Sequence, residues 1–182
     1  MKYGFMKYGK NKGGYARSGY IDCSNFVSLV FRDFGYSLSS HSGRYSTIGS
    51  HVPGVHARLH PGSTAKWMIA GTEHLKPGDI FTYWNINRHG VRYISHVAIF
   101  MGRINSKPCI IHTVRRRPTA IGITDSFIYW YGQHFAGARR VLPRSAQLPG
   151  CTLIDSSPVI PAKYQITPCY PIVLPRYLTN GF

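Results

Sequence analysis

One segment constrains the fold of this chain more than any other. In residues 22–35, Phe26, Val27, Val30, Phe31 and Phe34 recur at helical spacing and predict an amphipathic helix over residues 23–34. Asp22 stands at the N-cap position, where a carboxylate accepts from an unpaired N–H, and Gly35 stands where a helix stops. The other apolar runs are strand-sized, and none approaches the ~18 residues that a membrane-spanning helix needs. Lys76-Pro77-Gly78-Asp79 reads as a turn leading into a strand over residues 80–84. Further strands are expected over residues 94–101, 109–114 and 138–142. Short helices are expected over residues 65–70 and 126–131, with loops through most of residues 36–78. A helix followed by an antiparallel meander makes the expected fold class α+β.

Proline divides the chain. Residues 1–142 hold five prolines and residues 143–182 hold the other seven. Each proline lacks a backbone donor, so the second stretch forms neither long helices nor central strands. The expected organisation is a folded domain over residues 1–142 and a Pro-rich C-terminal extension over residues 143–182, packed on that domain. Packing is expected because Tyr164, Ile166, Tyr170, Ile172, Val173 and Tyr177 are too dense an apolar series for a solvated linker. Cys151 and Cys169 lie within this extension, either as a disulfide in an oxidising compartment or as two idle thiols.

Charge limits the partners. Twenty-two Lys and Arg against six Asp and Glu give a net charge of +16. Such a field favours polyanions: nucleic acid, anionic lipid or an acidic cell-wall polymer. Basic residues are spread along the chain with one tight run, Arg115-Arg116-Arg117. A basic nucleic-acid-binding module would use the charge and the interleaved aromatics, such as Lys7-Tyr8, but would leave the residues discussed next without a role.

Cys23 falls in the first turn of the predicted helix. Unpaired N–H groups and the helix dipole there are expected to lower the thiol pKa and favour the nucleophilic thiolate. A lone thiol is more often a small buried apolar group, and the helix-start position is what favours chemistry. Of nine histidines, His96 and His112 lie in predicted strands, where neighbouring rings can act as a base and its orienting partner. His41, His51, His56 and His60 lie in the loop-rich stretch without metal-ligand spacing. No CxxC or Cys/His zinc pattern occurs, and no metal or cofactor is expected.

Four motifs, taken in order, resemble one family. Asp22-Cys23-Ser24-Asn25-Phe26-Val27 is similar to the DCSGFV signature of the NlpC/P60 cysteine peptidases. Leu75-Lys76-Pro77-Gly78-Asp79-Ile80 resembles the family's L-x-PGD turn, Ser95-His96-Val97-Ala98-Ile99-Phe100 its SHVGIY strand, and Ile110-Ile111-His112 its IHA strand. The closing residues, Phe135 to Val141, resemble its last strand. The resemblance covers about residues 8–142. It implies a papain-like core, with a helix-borne cysteine against a small antiparallel sheet. It further implies hydrolysis of peptidoglycan stem peptides, at the D-γ-glutamyl–diamino acid bond, by a monomer in the bacterial cell envelope, periplasmic or secreted, with no nucleic-acid partner. No secretory signal is visible in the first 20 residues. Carried over by position, Cys23 is the nucleophile, His96 the base and then acid, and His112 the orienting residue. Tyr8, Asp22, Ser24, Ser95 and Arg115 are the expected substrate-binding residues. The sequence departs from the family at Asn25, where a side chain replaces glycine beside the nucleophile and is expected to narrow the cleft. Related papain-like folds act as amidases or acyltransferases, which is the alternative within this fold.

Overall fold

The computed structural model describes residues 2–3, 20–114 and 120–142. These lie within the first of two units, residues 1–151, and the extension predicted for residues 143–182 falls outside the described residues. Two short strands, β1 (Lys2–Tyr3) and β2 (Tyr20–Ile21), pair in parallel just before helix α1 (Cys23–Asp33). Asp22 caps α1 as expected, its side chain accepting from the Asn25 N–H at 2.9 Å. At the other end Gly35 adopts φ +85°, a left-handed conformation open to glycine. That conformation lets the Gly35 N–H reach the Arg32 carbonyl and the Tyr36 N–H reach the Phe31 carbonyl, both at 2.9 Å.

The main sheet runs in the order β3-β10-β6-β7-β8-β9 and is antiparallel throughout. Its strands are β3 (Ser50–His51), β6 (Ile80–Ile86), β7 (Arg92–Ile104), β8 (Lys107–Thr113), β9 (Ile121–Thr124) and β10 (Phe135–Arg140). The meander β6-β7-β8 has the predicted order, β9 follows as a strand that was not expected, and β10 returns beside β6. Asn105 and Ser106 turn β7 into β8 at φ +49° and +65°, the positive angles that a tight two-residue hairpin requires.

Both faces of the sheet are covered. Ile80, Val97 and Ile99 pack with Phe26, Val27 and Phe31 of α1. Phe81, Ala98, Phe100 and Ile110 face the opposite core with Ile69, Phe127 and Phe135. Alternate residues of β6 and β7 therefore serve different cores, which is why both strands read as continuous apolar runs. Burial of Phe26, Val27 and Phe31 is worth roughly 2 kcal/mol per side chain and is the main force holding α1 to the sheet.

Three expectations are corrected. The helix expected over residues 65–70 is instead strand β5 (Trp67–Ala70), paired with β4 (His56–Leu59). An isolated six-residue helix is marginal, whereas the hairpin buries Ile69. The helix expected over residues 126–131 begins later, as α2 (Trp130–Gln133), because Ile128 bridges to Met68 and Tyr129 turns the chain at φ +58°. The closing strand begins at Phe135 and ends at Arg140, three residues N-terminal to the segment expected at its start.

The turn before β6 is tied down from two sides. Gly78 adopts φ +90° and Asp79 donates its N–H to the Lys76 carbonyl at 2.9 Å. The Asp79 carboxylate accepts from the Lys76 N–H at 2.7 Å, from Arg140 Nε at 2.8 Å and from Arg140 Nη2 at 2.6 Å. A buried carboxylate held by three donors thus pins the start of β6 to the end of β10.

Candidate active site

Cys23 is the first residue of α1 and is 4% exposed. Its Sγ reaches the Ser95 carbonyl at 3.9 Å, so the thiol meets the backbone of β7 at the residue preceding His96. The N–H groups of Val97, Ser24 and Cys23 itself favour a thiolate, as the helix-start argument expects. Burial outweighs them, and with the nearby Asp22 charge it pushes the thiol up from 9.0 to about 11. The expected lowering is therefore corrected: in this state the thiol is neutral, because desolvating a thiolate costs more than a few N–H dipoles return.

The histidines meet as the strand argument requires. His96 on β7 and His112 on β8 place Nε2 and Nδ1 3.0 Å apart, their rings edge to face at 5.2 Å. His112 Nε2 lies 3.0 Å from Thr124 Oγ1 on β9. Tyr83 and Trp130 pack around His96, and Tyr131 stands edge-on to His112. Burial in this aromatic surround lowers His96 to about 3 and His112 to about 4, with the neighbouring His112 adding to the effect on His96. Both rings are neutral at neutral pH, and each then has one N–H and one bare nitrogen.

A thiol at a helix start, laid on a strand whose next residue is a histidine bonded to a second histidine, is the arrangement that the four motifs lead one to expect. The chain matches the model of the NlpC/P60 family over residues 7–119. It belongs to the NlpC/P60 family. No curated protein matches the chain. Membership carries a cysteine peptidase or cell-wall hydrolase kind of function, and the α+β core described above is the papain-like core of that family.

The other expected site residues of this NlpC/P60 domain are placed as follows. Asp22 and Ser24 are buried, and Asp22 accepts from the Asn25 N–H, from Asn25 Nδ2 at 2.7 Å and from Ser24 Oγ at 3.0 Å. Ser24 Oγ also lies 2.7 Å from the Ser40 carbonyl. These two side chains are thus bonded within the protein at the base of α1. The Ser95 carbonyl takes the thiol, and the Ser95 hydroxyl lies 3.4 Å from the Tyr83 carbonyl. The Asn25 side chain does not narrow the cleft as expected. It folds back onto Asp22 and is 3% exposed, because the cap carboxylate offers it an acceptor. Tyr8, Arg115, Cys151 and Cys169 lie outside the described residues.

Cys23 makes no hydrogen bond to His96 among the described residues. The thiol meets β7 at the Ser95 carbonyl, while the His96 ring packs with the rings of Tyr83, His112 and Trp130. No group of three His, Cys, Asp or Glu side chains forms a metal-binding cluster among the described residues. Nor is any described helix long and apolar enough to cross a membrane.

Sequence reasoning did not find Thr124, Tyr83 or Trp130 as site neighbours. Tyr83 and Trp130 belong to none of the four motifs, and only the fold brings them around His96. Thr124 belongs to the run Ile121-Gly122-Ile123-Thr124, whose period-2 alternation was the available signal for β9.

Proposed function

We propose that this domain hydrolyses an amide bond of peptidoglycan stem peptides through an acyl-enzyme, with Cys23 as nucleophile, His96 as base and then acid, and His112 orienting His96. The single observation that carries this reading is the His96–His112 hydrogen bond formed one residue along the strand from the carbonyl that receives the Cys23 thiol. The state described is a resting one. For reaction, Cys23 leaves the Ser95 carbonyl and passes its proton to His96 Nδ1, the nitrogen that His112 does not engage.

The thiolate then attacks the amide carbonyl carbon, and N–H groups around the helix start stabilise the oxyanion. Collapse of this intermediate breaks the C–N bond, and His96 gives its proton to the leaving amine. Water deprotonated by His96 next attacks the thioester, which releases the acid and restores the thiol. We further propose that the bond cut is D-γ-glutamyl–diamino acid and that the enzyme acts in the bacterial envelope, where its +16 charge favours the carboxylates of stem peptides and anionic wall polymers. The N-terminal segment with Tyr8 and the Arg115 run would contribute binding groups to the same site.

The test compares wild type with Cys23→Ala on purified sacculus fragments, analysed by mass spectrometry. Wild type is expected to yield new termini at one stem-peptide bond, and the variant none, with unchanged circular dichroism. Equal cleavage by the variant refutes the assignment of the nucleophile. Termini at another bond refute the bond alone.

A further inference from the structure

We infer that Thr124 is a positioning residue for the His96–His112 pair, acting through a hydrogen bond that becomes obligatory when His96 takes up the proton of the nucleophile. The inference rests on the function proposed above. Thr124 lies beyond the residues matched by the family model, which end at 119.

The placement follows from strand register. His112 pairs with Gly122 across the β8–β9 ladder, and Thr124 pairs with Ile110. Thr124 is therefore the same-face diagonal neighbour of His112, within reach of a long side chain. Gly122, directly opposite, has no side chain to stand between them. The imidazole leans along this diagonal, and Nε2 comes to 3.0 Å from Oγ1. His112 itself is 1% exposed, so an N–H on its ring has no solvent to fall back on.

Proton counting gives the bond its role. While both rings are neutral, the chain Thr124–His112–His96 satisfies itself in either direction, because a hydroxyl both donates and accepts. A protonated His96 removes that freedom. Its Nε2 carries a proton and must donate to His112 Nδ1, so Nδ1 must be bare. The proton of neutral His112 is then on Nε2, facing Thr124, whose oxygen must accept. With no acceptor at position 124, the imidazolium state alone leaves a buried N–H unpaired. A hydrogen bond that turns obligatory as charge develops assists the chemical step more than the binding of substrate.

The experiment uses the full chain with Thr124→Val, which keeps the shape without the hydroxyl, and Thr124→Ser, which keeps the hydroxyl. Thr124→Ala replaces the valine variant if that variant loses its near-UV circular dichroism. Two quantities are measured: turnover of a stem-peptide substrate, and alkylation of Cys23 by iodoacetamide at neutral pH without substrate. Thr124→Val is expected to lower kcat roughly 10- to 100-fold with KM unchanged, to slow alkylation, and to be rescued on both counts by serine.

A folded Thr124→Val with wild-type kcat and wild-type alkylation overturns the inference. So does a serine variant as impaired as the valine one, since that result makes the methyl group, and not the hydroxyl, the important atom. If wild type cleaves no stem peptide while alkylation still follows the hydroxyl, the substrate assignment fails and the role of Thr124 stands.

Discussion

Replacing Asp79 by Asn removes one charge and changes almost nothing in shape, which makes it a clean test of how the β6 turn is held. In the native site both carboxylate oxygens accept: Oδ1 from Arg140 Nε at 2.8 Å, and Oδ2 from Arg140 Nη2 at 2.6 Å and the Lys76 N–H at 2.7 Å. An amide offers one accepting oxygen. Its NH₂ must therefore confront an Arg140 N–H in either orientation, and at least one contact becomes donor against donor. Asp79 is 1% exposed, so water cannot repair the loss.

Breaking a fully buried ion pair costs about 3–5 kcal/mol. The Arg140 side chain is 22% exposed, so its charge recovers some hydration, and the lower end, about 3 kcal/mol, applies. For a domain of this size that corresponds to a fall in Tm of roughly 6–12 °C. Thermal unfolding followed by circular dichroism measures it. A double-mutant cycle with Arg140→Met should show coupling of about 2 kcal/mol, because the second substitution removes the unpaired cation. An Asp79→Asn protein that melts at the wild-type temperature, with no coupling in the cycle, would refute the reasoning.

Two further outcomes are expected. His96 and His112 take up protons at about 3 and about 4 when folded against 6.5 when exposed, so the unfolded chain binds protons that the folded one refuses. That stability is fully present above pH ~6.5 and is lost as pH falls toward the folded values; the urea midpoint should drop between pH ~7 and ~4, less so in His96→Gln, and equal drops in the two proteins would contradict it. Gly132→Ala should destabilise the fold by about 2 kcal/mol although alanine is the better helix former, since a Cβ there would lie 2.4 Å from the Trp67 backbone; a raised Tm would show that α2 shifts freely.

Local signals in the chain were enough for part of this protein. The N-cap at Asp22 and the stop at Gly35 bracket α1 because capping and left-handed geometry depend on neighbouring residues alone. The turn at residues 76–79 was legible for the same reason, and the four ordered motifs identified the family before any packing was known. Strands β6, β7 and β8 were found from their apolar runs, and β6 begins where expected. But β6 and β7 run on beyond the expected segments and β8 lies shifted toward its N-terminus, because cross-strand pairing sets those ends.

Tertiary structure decided the rest. Residues 67–70 became a strand because residues 56–59 offered a partner, and a pairing between segments is invisible in either one alone. The thiol of Cys23 is raised instead of lowered because burial against β7, where Sγ meets the Ser95 carbonyl, outweighs the N–H groups that favour a thiolate, and that strand lies far from Cys23 in sequence. Thr124 meets His112 through ladder register, a diagonal fixed only when β8 and β9 align. Residue types and short spacings therefore pointed to a cysteine peptidase kind of function, while the protonation of Cys23, His96 and His112 depends on burial, which no local stretch of sequence contains.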